Sequence, residues 1–113
     1  MTITYEKRGR ITILRLKGTF VGKSTVELFE RSIFDHLKEE IIWIILDLSE
    51  LKHIDSAGLG AMISAMVSVG KRGGGLRLAA VTGDVQNIMK KMHLDQVFEI
   101  HNTVQRAEES IGG

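Results

Sequence analysis

Residues 41–46 read Ile-Ile-Trp-Ile-Ile-Leu, and this stretch decides the fold class. It is apolar at every position and rich in β-branched residues, whereas a strand with one solvated face alternates apolar and polar side chains. A strand of this kind is covered on both faces and lies in the middle of a sheet, usually beside parallel neighbours.

The residues before this strand predict an antiparallel hairpin and a helix. Residues 3–5 alternate between apolar and polar, and 11–16 form a second stretch with strand character, which Gly18 is expected to end. From Ser24 onward the apolar residues recur at spacings of three and four, which is typical of an amphipathic helix. We expect Ser24 to cap this helix, with Glu27 completing a capping box.

The central strand is expected to end in Asp47-Leu48-Ser49, and a short polar loop is expected to lead from there to Asp55. A second helix follows, because the apolar residues of 59–67 recur at helical spacing, and the glycines of 70–75 stop it. The remaining predicted elements are a strand over 76–81, a helix capped by Asp84, a short strand over 97–100 and a final helix capped by Thr103.

The predicted order of elements is β-β-α-β-α-β-α-β-α, in a single domain that spans residues 1–113. Strands that alternate with helices indicate right-handed crossovers and a largely parallel sheet. The predicted fold class is therefore α/β, with a mixed, mostly parallel sheet of four to five strands, an N-terminal antiparallel hairpin and about four helices.

The composition argues against several classes of function. Lys and Arg number 15 against 14 Asp and Glu, so no net field attracts nucleic acid or an anionic membrane. The chain has no cysteine, which excludes disulfides, thiolate metal sites and a cysteine nucleophile, and is compatible with a reducing cytoplasm. The first residues lack the apolar segment of a signal peptide, and the longest apolar run is too short to span a membrane. We expect a soluble, stand-alone, cytoplasmic domain.

Three candidate sites are better explained as ordinary structure. Gly22-Lys23-Ser24-Thr25 is similar to the end of a phosphate-binding P-loop, but it follows Gly18 with one residue fewer than that motif requires. The four histidines show no metal-ligand spacing, so neither a metal nor a cofactor is predicted. The glycine-rich residues 70–75 are best explained as a helix stop followed by a solvated loop.

Ser56 is the strongest candidate for a functional residue. It follows Asp55 beyond the carboxyl end of the central strand, where ligands and partners of open α/β sheets dock, and the small residues after it leave its hydroxyl accessible. The residues alone leave two explanations open, a helix cap or a functional hydroxyl. A catalytic serine would need an aligned base, for which His53 is the nearby candidate, and the Gly-x-Ser-x-Gly elbow is missing.

Residues 47–60, Asp-Leu-Ser-Glu-Leu-Lys-His-Ile-Asp-Ser-Ala-Gly-Leu-Gly, closely resemble the signature of the STAS domain. The resemblance is to its bacterial stand-alone form, the anti-sigma factor antagonists. Residues 9–18 resemble the family's opening hairpin strand with its terminal glycine, and 93–100 resemble its closing segment. The order of the predicted elements also agrees with this family, so the resemblance extends over nearly the whole chain.

The resemblance implies a binding protein and not an enzyme. In that family the unphosphorylated antagonist binds an anti-sigma factor, which is also a serine kinase, and so frees a sigma factor. Phosphorylation abolishes the binding, and a serine phosphatase restores it. Carried over to this chain, the phosphoacceptor is Ser56. The implied partner-binding residues are Asp55, Ser56, Ala57, Gly58, Leu59, Phe20 and Val21.

One segment departs from the family pattern. The family commonly has an acidic residue soon after the hairpin, where this chain reads Thr19-Phe20-Val21-Gly22. We expect Phe20 and Val21 to form an exposed apolar patch instead, which leaves open the partner's identity and self-association as a homodimer. Two other hypotheses also stay open. One is a STAS scaffold subunit of a stress-signalling or transport complex that does not use Ser56, and the other is a small nucleotide-binding or hydrolytic protein that uses Ser56 with His53.

Overall fold

The strands lie in the sheet in the order in which they occur along the chain. The structure is a computed structural model that describes residues 1–38 and 43–112. Its strands are β1 Thr2–Arg8, β2 Ile11–Phe20, β3 Trp43–Ile54, β4 Gly75–Ala79 and β5 Glu99–His101. Its α-helices are α1 Lys23–Leu37, α2 Ser56–Lys71, α3 Gly83–Lys91 and α4 Val104–Ile111, and a 3₁₀ turn spans Leu94–Gln96.

The pairing of the strands confirms the predicted fold class. β1 and β2 form an antiparallel hairpin, and the pairs β2–β3, β3–β4 and β4–β5 are all parallel. Because parallel strands run in the same direction, the chain must cross back to the starting end of the sheet after each strand. The three parallel pairs therefore need three crossover connections, which contain α1, α2 and α3.

Helices cover both faces of the sheet. α1, α2 and α3 pack on one face, where the larger core cluster includes the fully buried side chains of Phe29, Leu46 and Met62. α4 packs on the other face, where Ala107 joins a smaller cluster with Ile45. Successive residues of β3 therefore point into two different apolar layers, which explains why its first half shows no polar alternation.

β3 is longer than the sequence predicts. The expected polar loop between Ser49 and Asp55 is wrong, because β3 continues through this segment and stays paired with β2 as far as Phe20 opposite Ile54. Gly18 does not end β2 but lies inside it, at one of two register shifts, with a φ of 102° that favours glycine. Residues 41 and 42, predicted as the start of the central strand, lie outside the described residues.

Three other boundaries differ slightly from prediction. α2 continues through Gly70 to Lys71 before the glycine-rich segment ends it. β4 covers 75–79, in place of the predicted 76–81. β5 covers 99–101, in place of 97–100, because the N–H groups of residues 97 and 98 both donate to the Leu94 carbonyl in the preceding 3₁₀ turn.

Ser24 and Asp84 are wrong as predicted helix caps. α1 begins at Lys23 and α3 begins at Gly83, in each case one residue before the predicted cap residue. Both predicted caps therefore lie within the first turn of their helices, and neither helix has a side-chain cap. The capping box between Ser24 and Glu27 is wrong for the same reason.

Thr103 caps α4 as predicted, with its Oγ1 accepting the N–H of Arg106 at 3.1 Å. Thr103→Ala should lower the free energy of unfolding by about 1 kcal/mol, because this N–H loses its acceptor. Ser24→Ala is the matched control and should change that free energy by less than about 0.5 kcal/mol, since Ser24 caps nothing. Urea unfolding at neutral pH measures both variants, and equal losses would contradict the assignment of the caps.

Candidate functional site

α2 begins at a capped turn directly after β3. Asp55 is the N-cap residue, with extended backbone angles of φ −108° and ψ −177°, and its Oδ1 accepts the N–H of Gly58 at 2.9 Å. The predicted cap, Ser56, is instead the first residue of the helix. Aspartate and serine are about equally good N-caps, so the length of β3 decides between them by bringing Asp55 to the cap position.

The Asp55 carboxylate also joins the start of α2 to the turn between β2 and α1. Its Oδ2 accepts the N–H of Gly22 at 3.1 Å, and the N–H of Asp55 donates to the Phe20 carbonyl at 3.2 Å. Gly22 has a φ of 84°, a region that residues with a side chain seldom occupy. One aspartate therefore holds the starts of α1 and α2 side by side.

Backbone N–H groups lower the pKa of Asp55 below its ordinary value. The hydrogen bond from Gly58 has the largest effect, burial opposes it, and the hydrogen bond from Gly22 adds to the lowering. Such donors favour the ionised carboxylate. At neutral pH the turn therefore carries a fixed negative charge next to Ser56.

Ser56 presents its hydroxyl at the first position of α2. The side chain is exposed, and no group among the described residues forms a hydrogen bond with its Oγ. Of the two explanations that the sequence left open, the helix cap therefore belongs to Asp55. The Ser56 hydroxyl has no structural hydrogen bond within the described residues and is accessible to a modifying enzyme.

The structure does not bring His53 and Ser56 together as a catalytic pair. The His53 side chain is 60% exposed, and its Nδ1 lies 3.3 Å from Oδ2 of Asp84 on α3. Within the described part of the chain no imidazole hydrogen-bonds to the Ser56 hydroxyl, whereas a nucleophilic serine needs such a base. The hydrolytic hypothesis has no support from this geometry.

Only part of the predicted partner-binding set lies on the surface. Ser56 and Ala57 are exposed and Asp55 is half-buried, whereas Gly58 is buried and Leu59 is 1% exposed. Leu59 belongs to the larger core cluster beneath α2. The two buried residues therefore support this surface from below and do not form it.

The predicted exposed apolar patch is wrong for Phe20. This side chain is fully buried and packs on Phe29, with the ring centroids 4.9 Å apart, because β2 continues to Phe20 and pairs there with β3. Val21, one residue further, is 46% exposed. The hydrogen bond from Gly22 to Asp55 holds this turn against α2, so Val21 is the apolar side chain that the turn exposes near Ser56.

The exposed side of α2 is unusually neutral. Residues 56–70 contain no charged side chain, and the interiors of protein–protein interfaces are depleted in charge in the same way. We call the exposed area formed by Val21, Asp55, Ser56 and Ala57 the Ser56 surface. It combines small neutral groups with one ionised carboxylate.

The described residues do not assemble a metal-binding cluster. Over residues 1–38 and 43–112, no group of three or more His, Asp or Glu side chains is placed to hold a metal ion. Among the helices of these two segments, none combines the length and the apolar character that crossing a membrane requires.

Sequence reasoning missed the role of Asp55 as a cap and its bond to Gly22. A signal for the cap exists, because an N-cap aspartate accepts the N–H of the residue two or three positions further along, here Gly58. No local signal exists for the bond to Gly22, which joins residues 33 positions apart.

The family model of the STAS domain matches residues 2–107 of this chain. This chain belongs to the STAS domain family. The match includes every strand and every α-helix except the last residues of α4.

Other members of the STAS family that are similar to this chain are known as anti-sigma factor antagonists. A relative from Thermotoga neapolitana, provisionally named in this way, is 31% identical over 87 residues, which cover 76% of this chain and 77% of the relative. A provisionally named antagonist from Thermotoga maritima has a crystal structure with a TM-score of 0.85 at 24% identity, covering 98% of this chain and 95% of that chain. SpoIIAA of Bacillus in its phosphorylated form has a TM-score of 0.75 at 19% identity, covering 97% of this chain and 99% of that chain. At these identities the two structures show a shared STAS fold and nothing further.

Proposed function

We propose that this STAS domain is an anti-sigma factor antagonist. It binds an anti-sigma factor through the Ser56 surface and thereby frees a sigma factor, and phosphorylation of Ser56 ends the binding. The proposal rests mainly on the Ser56 hydroxyl, which is exposed, makes no hydrogen bond with the described residues and lies next to the charge of Asp55. The name of the relative from Thermotoga neapolitana supports the antagonist role.

The Ser56 surface has the chemistry of a protein-docking site. Val21 and Ala57 are exposed apolar groups, and the absence of charge over 56–70 lowers the cost of removing water from α2. Phe20, Gly58 and Leu59, which were predicted to belong to the binding set, contribute through packing beneath the surface. Buried packing of this kind fixes the positions of the groups that a partner would touch.

The fold is suited to accept a phosphate on Ser56. The positive end of the α2 dipole stabilises a negative group at the first position of the helix, and the first turn contains no acidic residue that would oppose it. A phosphoserine carries a charge of about −1.5 to −2 at neutral pH. We therefore expect the phosphorylated domain to keep its fold.

The same phosphate disfavours docking. Asp55 is already ionised beside Ser56, so a partner would have to remove water from two neighbouring negative groups. Release then follows from local charge and needs no large conformational change. The proposed partner is an anti-sigma factor of the serine-kinase fold, which also adds the phosphate, and a serine phosphatase removes it. SpoIIAA, which shares the fold, is itself known in a phosphorylated form.

Capture of binding proteins from the host lysate tests the proposal. Wild type and Ser56→Ala should retain a serine-kinase anti-sigma factor, whereas Ser56→Asp should bind it roughly 100-fold more weakly, since a like charge in an interface costs several kcal/mol. Ser68→Asp is the matched control, because it places the same charge on another exposed serine of α2, about 18 Å further along the helix. This control should bind like the wild type.

Mass spectrometry of the protein from its own cells should find a phosphate on Ser56. If wild type, Ser56→Ala and Ser56→Asp all retain the same partners and none is a kinase, the protein is a scaffold subunit that does not use Ser56. Equal losses with Ser56→Asp and Ser68→Asp would show a general effect of charge and would contradict a switch at Ser56.

A further inference from the structure

A cavity of about 350 Å³ lies between the carboxyl ends of β4 and β5 and the helix α3. Ligand pockets have volumes of this order, and open α/β sheets bind ligands at the carboxyl ends of their strands. The cavity is more enclosed than the groove between α1 and α2. None of its lining residues belongs to the Ser56 surface, so it is a separate site.

The inner wall of this cavity is apolar. Met89 is almost completely buried, and Val81 and Ile100 are half-buried beside it. A ligand that covers such a wall removes apolar surface from water and supplies the missing packing contacts. The wall therefore favours a ligand with an apolar body.

Ala80 gives the cavity wall a strained backbone. Its φ is 59°, in the left-handed region that costs a residue with a side chain about 1–2 kcal/mol. Its N–H donates to the His101 carbonyl at 3.0 Å, which extends the contact between β4 and β5 one residue past the end of β4. Strained residues of this kind cluster at ligand sites, so the backbone is a second feature that points to the cavity.

Two opposite charges line the cavity without pairing with each other. Lys90 on α3 and Asp95 in the 3₁₀ turn both face it, and neither forms an ion pair with any described residue. Thr82, Gln86 and Asn102 add a hydroxyl and two amide groups to the lining. The apolar wall is therefore accompanied by one unpaired cation, one unpaired anion and neutral hydrogen-bonding groups.

We propose that this cavity binds a small carboxylate with an apolar body that also carries a hydroxyl or amino group. The carboxylate pairs with Lys90, the hydroxyl or amino group donates to Asp95, and the apolar body covers the half-buried Val81 and Ile100. A neutral ligand would gain nothing from Lys90, and an anion without a donor would meet the negative charge of Asp95 with no compensating hydrogen bond. The proposed site is independent of the function proposed for Ser56.

Titration of isotope-labelled protein with 4-hydroxybenzoate, followed by amide NMR shifts, tests the site. A Kd of about 1 mM is expected for so small a ligand, with the shifts concentrated at the amides of Ala80, Gln86 and Asn102. Lys90 is exposed, so Lys90→Met should weaken binding by about three- to fivefold. Lys91→Met is the matched control, because Lys91 is also in the last turn of α3 but does not line the cavity, and it should change the Kd by less than about twofold.

The neutral analogue 4-hydroxybenzyl alcohol lacks the carboxylate that is proposed to pair with Lys90 but keeps the same ring and hydroxyl group. It therefore measures how much binding comes from burial of the ring alone. It should bind wild type more weakly than 4-hydroxybenzoate does, and it should bind wild type and Lys90→Met equally. The proposal is overturned if the three amides do not shift, if both lysine variants weaken binding equally, or if the alcohol binds wild type as tightly as the carboxylate.

Discussion

Gly58→Ala should lower the free energy of unfolding by about 2–3 kcal/mol, the usual cost of forcing extra volume into a packed core. A Cβ at this position would lie 2.7 Å from the Phe20 carbonyl oxygen and 2.8 Å from Cγ1 of Ile54. Phe20 and Ile54 are paired with each other at the ends of β2 and β3. The Phe20 carbonyl belongs to the backbone and cannot move away without disturbing that pairing, so α2 has to shift from the sheet.

Gly60→Ala is the matched control for this prediction. It makes the same change two residues further along α2, where a Cβ would meet nothing within 4 Å. Alanine is favoured over glycine inside a helix by about 1 kcal/mol, so this variant should be more stable than the wild type. Urea unfolding with unchanged m-values measures both effects. If Gly58→Ala were also more stable, the close contact between α2 and the sheet at this point would be wrong.

The fold class could be predicted because many segments indicate it independently. The apolar run that ends at Leu46, the helical spacing over 59–67 and the strand character of 76–79 all require helices packed on a parallel sheet. An error of one or two residues at one boundary leaves the order of elements unchanged. The predicted order of elements is therefore correct even though the helix caps predicted at Ser24 and Asp84 are wrong.

The second half of β3 could not be predicted, because its pattern depends on pairing with a distant strand. Leu48, Leu51 and Ile54 are buried at a spacing of three, whereas a regular strand buries every second residue. The register between β2 and β3 shifts twice along this stretch, and each shift changes which residues face the core. Without knowledge of that pairing, the residues between Ser49 and Asp55 look like a polar loop.

The same limit applies to the candidate site. Local preference ranks Asp55 and Ser56 equally as caps, so the choice depends on where β3 ends. The burial of Phe20 depends on its pairing with β3, and the bond between Gly22 and Asp55 depends on the two crossovers that bring α1 and α2 together. The sequence identified the segment around Ser56, but its architecture comes from contacts between distant residues.

Asp55→Ala should both destabilise the domain and weaken partner binding, because one carboxylate holds two segments in place. The variant leaves the N–H groups of Gly58 and Gly22 without their acceptor. Asp55→Asn keeps the shape of the side chain but has only one oxygen, which can accept the N–H of Gly58 or of Gly22. Its NH₂ group would face the other N–H, and two donors cannot form a hydrogen bond. We therefore expect the melting temperature to fall in the order wild type, Asp55→Asn, Asp55→Ala.

The contribution of Asp55 to stability should depend on pH in the acid range. Its pKa in the folded domain is lowered below the ordinary value of 3.8, chiefly by the Gly58 N–H and further by the Gly22 N–H. A group with a lowered folded pKa stabilises the fold fully above its unfolded pKa, and this contribution is lost as the pH falls through the folded pKa. The difference in unfolding free energy between wild type and Asp55→Asn should therefore be constant near neutral pH and shrink below about pH 4.

Asp35→Asn is the control for this pH dependence. Asp35 is exposed on α1 and has no hydrogen bond or ion pair within the described residues, so its variant should stay close to the wild type in free energy of unfolding. A difference for Asp55→Asn that does not shrink in acid would contradict the role of the ionised carboxylate.

At neutral pH, folded Asp55→Asn should still bind the partner more weakly, because Val21 is no longer held beside Ser56. Unchanged binding by that folded variant would mean that the turn between β2 and α1 takes no part in docking, and the Ser56 surface would then be confined to α2.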